Sequence, residues 1–279
     1  MTIVGQPREG LEYYPCRYGR SRVSFRGPRK DPTGDYVAFL GGTETFGRFI
    51  PKPFPALIER RISVPCLNLG CVQAGLDVYL NDPEVMLRLD GARVVVIQAM
   101  AAQNMSNRFY SVHPRRNDRF VRASPTLMNL FPELDFTEFH FTRHLLGRLE
   151  KTCPDRFITV VEELQQAWVA RMKSLCTTLR GRVVLLWFAS APPPDGVVPA
   201  AAAVPPYVTH AMLDQVAPLC RDELRLTPSQ TARAQGTRGM VFSLVEQSAV
   251  DQTLNPAAHE ELSDLLAPML RGLLGRSAK

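Results

Sequence analysis

The apolar residues of this chain fall into four uninterrupted runs that predict buried strands. The runs consist of Val, Ile, Leu and aromatic residues without alternating polar positions, which is typical of parallel strands covered on both faces. They are Tyr36–Leu40, Val64–Leu69, Arg93–Met100 and Arg182–Ala189. A fifth strand is predicted at Arg225–Thr227 or, alternatively, at Gly239–Val245.

Amphipathic stretches between these runs predict helices. Asn255 and Pro256 supply an N-cap and a first-turn proline for the last helix, and Asp135 and Glu138 have the spacing of a capping box. The predicted helices are Phe54–Arg61, Leu76–Leu89, Asp135 to about Leu149, Pro154–Leu179, Tyr207–Leu224 and Ala257–Leu274. Strands alternating with helices imply right-handed crossovers. We therefore expect an α/β three-layer sandwich around a mostly parallel five-stranded sheet, with strand order 2-1-3-4-5.

The rest of the chain is predicted to form one basic arm and two long loops. Residues 1–30 are expected to be a basic N-terminal arm wrapped on a single domain of residues 31–279. Within that domain, residues 103–134 form one long loop. Residues 190–206 form the other, whose proline and alanine content suits a semi-rigid loop or lid over a cleft.

Composition predicts a globular protein that can bury a large core. The chain has 279 residues, 45% of them hydrophobic and 22% charged. No apolar run approaches the roughly 20 residues of a membrane span, and the N-terminus lacks an apolar signal core, so we expect a cytoplasmic protein. In that compartment the six cysteines, which include no CxxC pair, are expected to be reduced.

We expect neither a metal ion nor another cofactor. His140 and His144 have the i, i+4 spacing of a zinc pair, but no third ligand is placed beside them. The sequence leaves open whether the protein forms a homo-oligomer.

Positive charge is concentrated in two segments. The net charge is +6. Residues 7–30 carry seven basic and two acidic side chains, and residues 108–122 carry five Arg and one Asp. One interpretation is a solvated basic face. The other is a site for an anionic small molecule, because Arg presents a planar fork to phosphate, sulfate or carboxylate. The anion-site candidates are Arg108, His113, Arg115 and Arg116. Nucleic acid is an unlikely partner because no known nucleic-acid motif is present.

The segment Tyr36–Gly47, YVAFLGGTETFG, predicts a functional site. A buried strand ends in a glycine pair and then Thr43, which places a hydroxyl at the carboxyl edge where open α/β sheets bind ligands. The segment from Gly41 to Gly47 resembles block I of the SGNH/GDSL hydrolases, G-D-S-x-T-x-G. Thr43 stands where that family has its nucleophilic Ser, and Gly42 replaces the Asp.

Two further segments continue the resemblance. Asn68 begins an N-x-G turn similar to block II, and the glycine of the oxyanion hole is then Gly75, through a two-residue insertion, or alternatively Gly70. Ala102-Gln103-Asn104 is similar to block III, G-x-N, and implies that the Asn104 amide donates to the oxyanion. Block V, D-x-x-H, matches poorly.

In block V, Asp251 is followed by Leu254 where the His should be, and the nearest His is His259. The resemblance implies an SGNH-like, flavodoxin-like fold. It also implies an ester hydrolase or acyltransferase acting on an anionic small molecule or a modified sugar or lipid head group. Thr43 would be the nucleophile, His259 the base, and Asp251 would orient His259. His113 is the alternative acid or base.

The alternative is a catalytically inactive SGNH-like protein that binds an anionic ligand or a partner protein. Loss of both the Ser and the D-x-x-H favours this alternative, and retention of Gly75 and Asn104 favours the enzyme. The whole chain also resembles an uncharacterised bacterial family, DUF6473, in segments such as MSNRFYSVHPRRNDRF. That name implies no activity.

Overall fold

The computed structural model of the protein describes residues 10–196 and 205–275. Its strands are β1 (Val37–Leu40), β2 (Cys66–Asn68), β3 (Val94–Gln98), β4 (Tyr110–His113), β5 (Arg116–Ala123), β6 (Val183–Phe188) and β7 (Asp222–Leu226). Five of them form a parallel sheet in the order β2-β1-β3-β6-β7. The predicted fold class and strand order are therefore confirmed. The fifth strand, β7, overlaps the first of the two predicted alternatives at Arg225 and Leu226, but it begins at Asp222.

The helices are α1 (Thr43–Phe46), α2 (Phe54–Ile62), α3 (Asp77–Leu80), α4 (Pro83–Gly91), α5 (Pro125–Leu130), α6 (Thr142–Thr152), α7 (Pro154–Thr178), α8 (His210–Val216), α9 (Gln230–Ala234), α10 (Gln247–Val250) and α11 (Pro256–Gly275). Helices α2, α7 and α11 lie within two residues of their predicted limits.

Three helix predictions were wrong in extent. The stretch Leu76–Leu89 is broken into α3 and α4, because the Asp82 side chain accepts hydrogen bonds from two backbone N–H groups and restarts the helix. The Asp135 cap opens only a 3₁₀ turn, Phe136–Glu138, and α6 begins later. The helix predicted over Tyr207–Leu224 ends early. Pro218 follows α8 in a 3₁₀ turn, after which the chain becomes the edge strand β7.

The sheet divides the core into two layers, one on each of its faces. Every residue of the strands β1, β3 and β6 is therefore buried. Alternate residues of β1 face opposite sides: Ala38 and Leu40 join the cluster that includes α7, whereas Val37 and Phe39 join the cluster of α2 and α11. Successive side chains of the strand therefore point to opposite faces of the sheet. They do not alternate between apolar and polar residues, because both faces are covered. This arrangement is the predicted three-layer sandwich.

The segment predicted as a long loop, residues 103–134, contains an antiparallel hairpin of β4 and β5. This is a correction to the prediction. The hairpin has register shifts on both sides of Val112, and β5 has the polar sequence RNDRFVRA, so no strict alternation marked it as a strand. Of the other predicted loop, residues 197–204 lie outside the described residues.

Residues 1–9 of the predicted arm also lie outside the described residues. Residues 10–30 follow an extended path in which Cys16 and Phe25 form an isolated antiparallel bridge. Phe25 is buried, and the Arg26 guanidinium donates hydrogen bonds to the carbonyl oxygens of Gly47 (2.6 Å) and Pro51 (3.0 Å). This segment therefore packs against the chain that follows α1. In the described part of the chain, no helix is long and apolar enough to cross a membrane.

Candidate functional site

Thr43 is the first residue of α1 and lies at the carboxyl edge of the sheet. The residue before this turn has to be a glycine, because a Cβ on Gly41 would lie only 2.0 Å from the Thr45 hydroxyl oxygen. Thr43 is half-buried, and its Oγ1 accepts a hydrogen bond from the backbone N–H of Gln73 at 3.2 Å. Gln73 is exposed and has a φ of +56°, a conformation that non-glycine residues rarely adopt.

Asn104 lies on the other side of Gln73. It is buried, and its Nδ2 donates to the Gln73 carbonyl oxygen at 3.0 Å while its Oδ1 accepts from the Thr142 hydroxyl at 2.9 Å. Gly75 packs directly on this residue, since a Cβ on Gly75 would lie 1.6 Å from the Asn104 carbonyl oxygen. The structure thus brings Thr43, Gly75 and Asn104 together around the peptide groups of Gln73.

The amide donors assigned to the oxyanion hole already have acceptors within the protein. The Gly75 N–H donates to Asn117 Oδ1 at 3.1 Å, and the alternative glycine, Gly70, donates to Asn68 Oδ1 at 2.9 Å. The Asn104 amide donates to the Gln73 carbonyl. In this conformation the N–H groups of Gly75 and Gly70 and an N–H of the Asn104 amide each have an acceptor within the protein.

His259 lies in the layer behind this edge, not at it. The residue is fully buried in α11, stacks on Phe54 and meets the Phe188 ring edge-on. Its Nδ1 accepts the backbone N–H of Phe54 at 3.1 Å, which is the first N–H of α2 and lacks a partner within that helix. The neutral ring must therefore carry its proton on Nε2. Nε2 lies 3.7 Å from Glu44 Oε2 and makes no hydrogen bond.

Asp251 does not reach His259. Its carboxylate accepts from the Gln247 side chain at 2.7 Å, within the turn of α10. It also lines a cavity of about 250 Å³ together with Leu254 and the start of α11. The Leu254 N–H donates to the Glu44 carboxylate at 3.2 Å, so the block V segment approaches α1 through Glu44. The structure does not bring Asp251, His259 and Thr43 together.

The arginines predicted to bind an anion divide into two groups. Arg108 forms an ion pair with Glu163 of α7 at 3.3 Å and stacks on Phe109. Arg115 lies in the turn between β4 and β5, and Arg116 is the first residue of β5. Both are exposed and form no ion pair with any described residue.

The turn that carries these arginines is fastened to the Gly75 segment. His113 Nδ1 accepts from the backbone N–H groups of Arg115 and Arg116, both at 3.2 Å. Asn117 is buried; its Nδ2 donates to the His113 carbonyl at 3.1 Å, and its Oδ1 accepts from Gly75 and from α3. The turn is therefore placed beside the residues that contact Thr43.

Sequence reasoning missed the two residues that organise this edge, Gln73 and Asn117. A signal existed for Gln73, which lies in the two-residue insertion between Gly70 and Gly75. Asn117 carried no signal beyond its place next to a run of arginines. Across the described ranges, no group of three His, Cys, Asp or Glu side chains is placed to hold a metal ion.

The sheet order, with a hydroxyl residue after β1 and an asparagine after β3, defines an α/β protein with an SGNH-like layout. The chain belongs to the family described as "Domain of unknown function (DUF6473)", whose model matches residues 1–274. A search of curated proteins gives no match.

Solved structures with a similar course of the chain include several esterases and lipases. A family two carbohydrate esterase from Clostridium thermocellum, in complex with cellohexaose, has 12% identity and a TM-score of 0.45 over 90% of this chain and 68% of that chain. The lipase Lip_vut3 from a goat rumen metagenome has 12% identity and a TM-score of 0.42, covering 83% and 97%. A lipase/acylhydrolase from Enterococcus faecalis has 14% identity and a TM-score of 0.38, covering 85% and 96%. Likenesses at this level carry no argument about activity.

Proposed function

We propose that this protein binds an anionic ligand at the edge around Thr43 and does not cleave esters with a Thr43–His259 couple. One observation carries the proposal: the Gln73 carbonyl already accepts the Asn104 amide hydrogen bond. An oxyanion hole works because its donors are preorganised and aimed at the position where negative charge develops. Here the Gln73 backbone oxygen accepts a hydrogen bond from an N–H of the Asn104 amide, and this bond ties that amide to the protein instead of leaving it aimed at a substrate oxygen.

The environment of His259 supports the same conclusion. General base catalysis needs a free lone pair within hydrogen-bond reach of the nucleophile. The Nδ1 lone pair of His259 accepts the Phe54 N–H, and Nε2 faces Glu44. The neutral imidazole therefore has no lone pair left with which to take the Thr43 proton.

The ligand's charge is inferred from the β4–β5 turn. Arg115 and Arg116 present two guanidinium groups to solvent from a turn that Asn117 fixes beside the Gly75 segment. A planar guanidinium matches the paired oxygens of phosphate, sulfate and carboxylate groups. The ligand class is therefore an anionic small molecule, such as a phosphorylated or sulfated sugar or lipid head group.

The second candidate function is ester hydrolysis or acyl transfer by Thr43. It is favoured by the half-exposed position of the Thr43 hydroxyl at the carboxyl edge of the sheet. For this function the Gln73 peptide would have to move away from Asn104, and a base other than the neutral His259 would have to accept the proton.

Binding of anions tests the first function. Inorganic phosphate, sulfate, nucleotides and an acyl-CoA are screened by thermal shift, and any hit is titrated calorimetrically into three proteins. These are the wild type, the Arg115→Ala/Arg116→Ala variant, and a charge-matched control, Arg148→Ala/Lys151→Ala, altered on the exposed side of α6. Since a charged hydrogen bond contributes about 1.5–3 kcal/mol, the turn variant should bind at least about tenfold more weakly, and the control should match wild type. Equal affinity in both variants, or no anion binding at all, contradicts the proposal.

Ester turnover decides between the two functions. Wild type, Thr43→Ser and Thr43→Ala are assayed on p-nitrophenyl esters and on thioesters, and we expect no turnover above buffer from any of them. Thr43→Ser is the sensitive member, because it removes the crowding methyl group and restores the nucleophile of block I. Turnover by wild type or Thr43→Ser that Thr43→Ala abolishes would replace the binding proposal with the enzyme.

A further inference from the structure

Two cysteines far apart in sequence meet on the opposite side of the sheet from α11. Cys176 lies near the end of α7 and is buried, and Cys220 follows α8 just before β7 and is partly exposed. Their sulfur atoms are 3.7 Å apart. Both are free thiols, held by two elements that pack into the same core.

The other four cysteines have no such neighbour. The thiols of Cys66 and Cys71 point at backbone carbonyl oxygens of their own segments, and burial raises the pKa of Cys71 to about 12. Cys153 is the N-cap residue of α7, where a hydrogen bond with the Arg156 side chain lowers the pKa of its thiol. Cys153 is therefore a thiol with a lowered pKa and no neighbouring thiol, which makes it a control for the Cys176–Cys220 pair.

We propose that Cys176 and Cys220 form a redox modification site, at which a peroxide converts the two thiols into a disulfide. A disulfide requires the sulfur atoms to approach to about 2.05 Å, so each sulfur needs to move by less than about 1 Å. Side-chain rotation supplies a movement of this size without separation of α7 from the segment before β7.

The chemistry balances with hydrogen peroxide as the oxidant. One thiolate attacks a peroxide oxygen, the O–O bond breaks, and a sulfenic acid and hydroxide form. The second thiol attacks the sulfenic sulfur, the S–S bond forms, and the sulfenic oxygen leaves as water. In sum, two thiols and one hydrogen peroxide give one disulfide and two waters.

The contact between the thiols shifts their pKa values in opposite directions. The hydrogen bond between them lowers the pKa of Cys176, whereas the same contact, together with burial, raises the pKa of Cys220. Ionisation of one thiol is therefore favoured at this contact; the thiolate attacks the peroxide, and the other thiol resolves the sulfenic acid.

The disulfide would close a long stretch of chain. It joins residues 176 and 220, and the loop between them contains β6, α8 and the segment 190–206. A cross-link of this span restricts the unfolded chain and thereby favours the folded state. Oxidation should raise the melting temperature by about 5–10 °C, since a loop of this length has a large closure entropy.

The test uses the full chain in its folded state. The protein is treated with hydrogen peroxide, quenched with N-ethylmaleimide and analysed by intact mass and peptide mapping, with circular dichroism to verify the fold. We expect the loss of two hydrogen atoms, one Cys176–Cys220 cross-linked peptide, and reversal by dithiothreitol. The Cys153→Ser variant should give the same cross-link. The Cys220→Ser variant should give none, and instead a dimedone adduct on Cys176.

Two results would overturn the proposal. In the first, folded wild type retains both thiols free for alkylation after peroxide treatment. In the second, either cysteine is found cross-linked to a different partner. An equal rise in melting temperature in oxidised Cys220→Ser would contradict the stabilising effect assigned to the cross-link.

Discussion

Thr43 and Glu44 are neighbours in α1, yet their side chains belong to two regions of opposite character. The Thr43 region is an edge with the exposed Gln73 at its centre: Gln73 bonds to Thr43 and to Asn104, and the nearby Gly75 bonds to Asn117 of β5. The Glu44 region is an interior, where the carboxylate accepts the Leu254 N–H beside the buried His259. Successive side chains on a helix point about 100° apart, which is enough to send one residue to the edge and the next into the core.

This difference explains why Thr43 and His259 are not in contact, although the sequence resemblance predicted that they act together. Block V of the SGNH pattern would have its His at position 254, where this chain has Leu254. His259 lies on α11, whose packing against α2 directs the imidazole between Phe54 and Phe188. A histidine can therefore be close in sequence to a catalytic motif and serve a neighbouring helix as a buried hydrogen-bond acceptor.

The largest loss of stability is expected when a methyl group is added at Gly75, at the edge. Gly75→Ala would place a Cβ 1.6 Å from the Asn104 carbonyl oxygen, a backbone atom that cannot move without displacing the chain after β3. We expect a loss of about 3 kcal/mol or more in the free energy of unfolding, measured by urea denaturation. Gly147→Ala is the matched control. Nothing lies within 4 Å of its Cβ, and an alanine inside α6 should stabilise the protein by up to about 1 kcal/mol. Equal effects of the two substitutions would refute the close packing of Gly75.

A smaller loss is expected in the interior. His259→Leu keeps a side chain of similar bulk between the two phenylalanines but leaves the Phe54 N–H without an acceptor. The expected loss is about 1–3 kcal/mol, the usual effect of leaving one buried donor unsatisfied. His140→Leu, at an exposed position, is the control and should change stability by less than about 0.5 kcal/mol. If His259→Leu were as stable as the control, the structural role assigned to His259 would be wrong.

The smallest effect is expected at Thr43 itself. Thr43→Val keeps the shape and removes the oxygen that accepts the Gln73 N–H. Because Gln73 is exposed, water can replace the lost acceptor, so we expect a change of at most about 1 kcal/mol. Thr43→Ser should be neutral within about 0.5 kcal/mol. A loss of several kcal/mol in Thr43→Val would mean that the edge is as closed to water as the interior.

The sheet could be predicted from sequence because its signal is local. Each buried strand is an apolar run, and helices of ordinary length connect the runs. The β4–β5 hairpin could not be predicted in this way, because β5 is polar and its register shifts remove any period. The early end of the helix before β7 could have been predicted, because Pro218 interrupts the amphipathic pattern.

The site was predictable only in part, for a geometric reason. Thr43 and Asn104 each follow a sheet strand directly, so the parallel sheet brings them to one edge. The direction of His259 depends on how α11 rotates against α2, and nothing in the sequence near His259 reports that rotation. The occupation of the Asn104 amide depends on the positive φ of Gln73, which a residue with a side chain seldom adopts.

The hydrogen bonds of Asn117 have a thermodynamic consequence for any ligand that binds at this edge. Asn117 bonds to Gly75, to α3 and to the His113 carbonyl, so the backbone of the arginine turn is already ordered before a ligand arrives. Ordering a loop on association costs conformational entropy that subtracts from affinity, about 0.5–1.5 kcal/mol for each immobilised side chain in addition to the backbone. In this turn only the side chains of Arg115 and Arg116 remain to be ordered. The conformational entropy of the turn backbone is lost during folding. Ligand binding at this edge therefore does not carry that entropy cost.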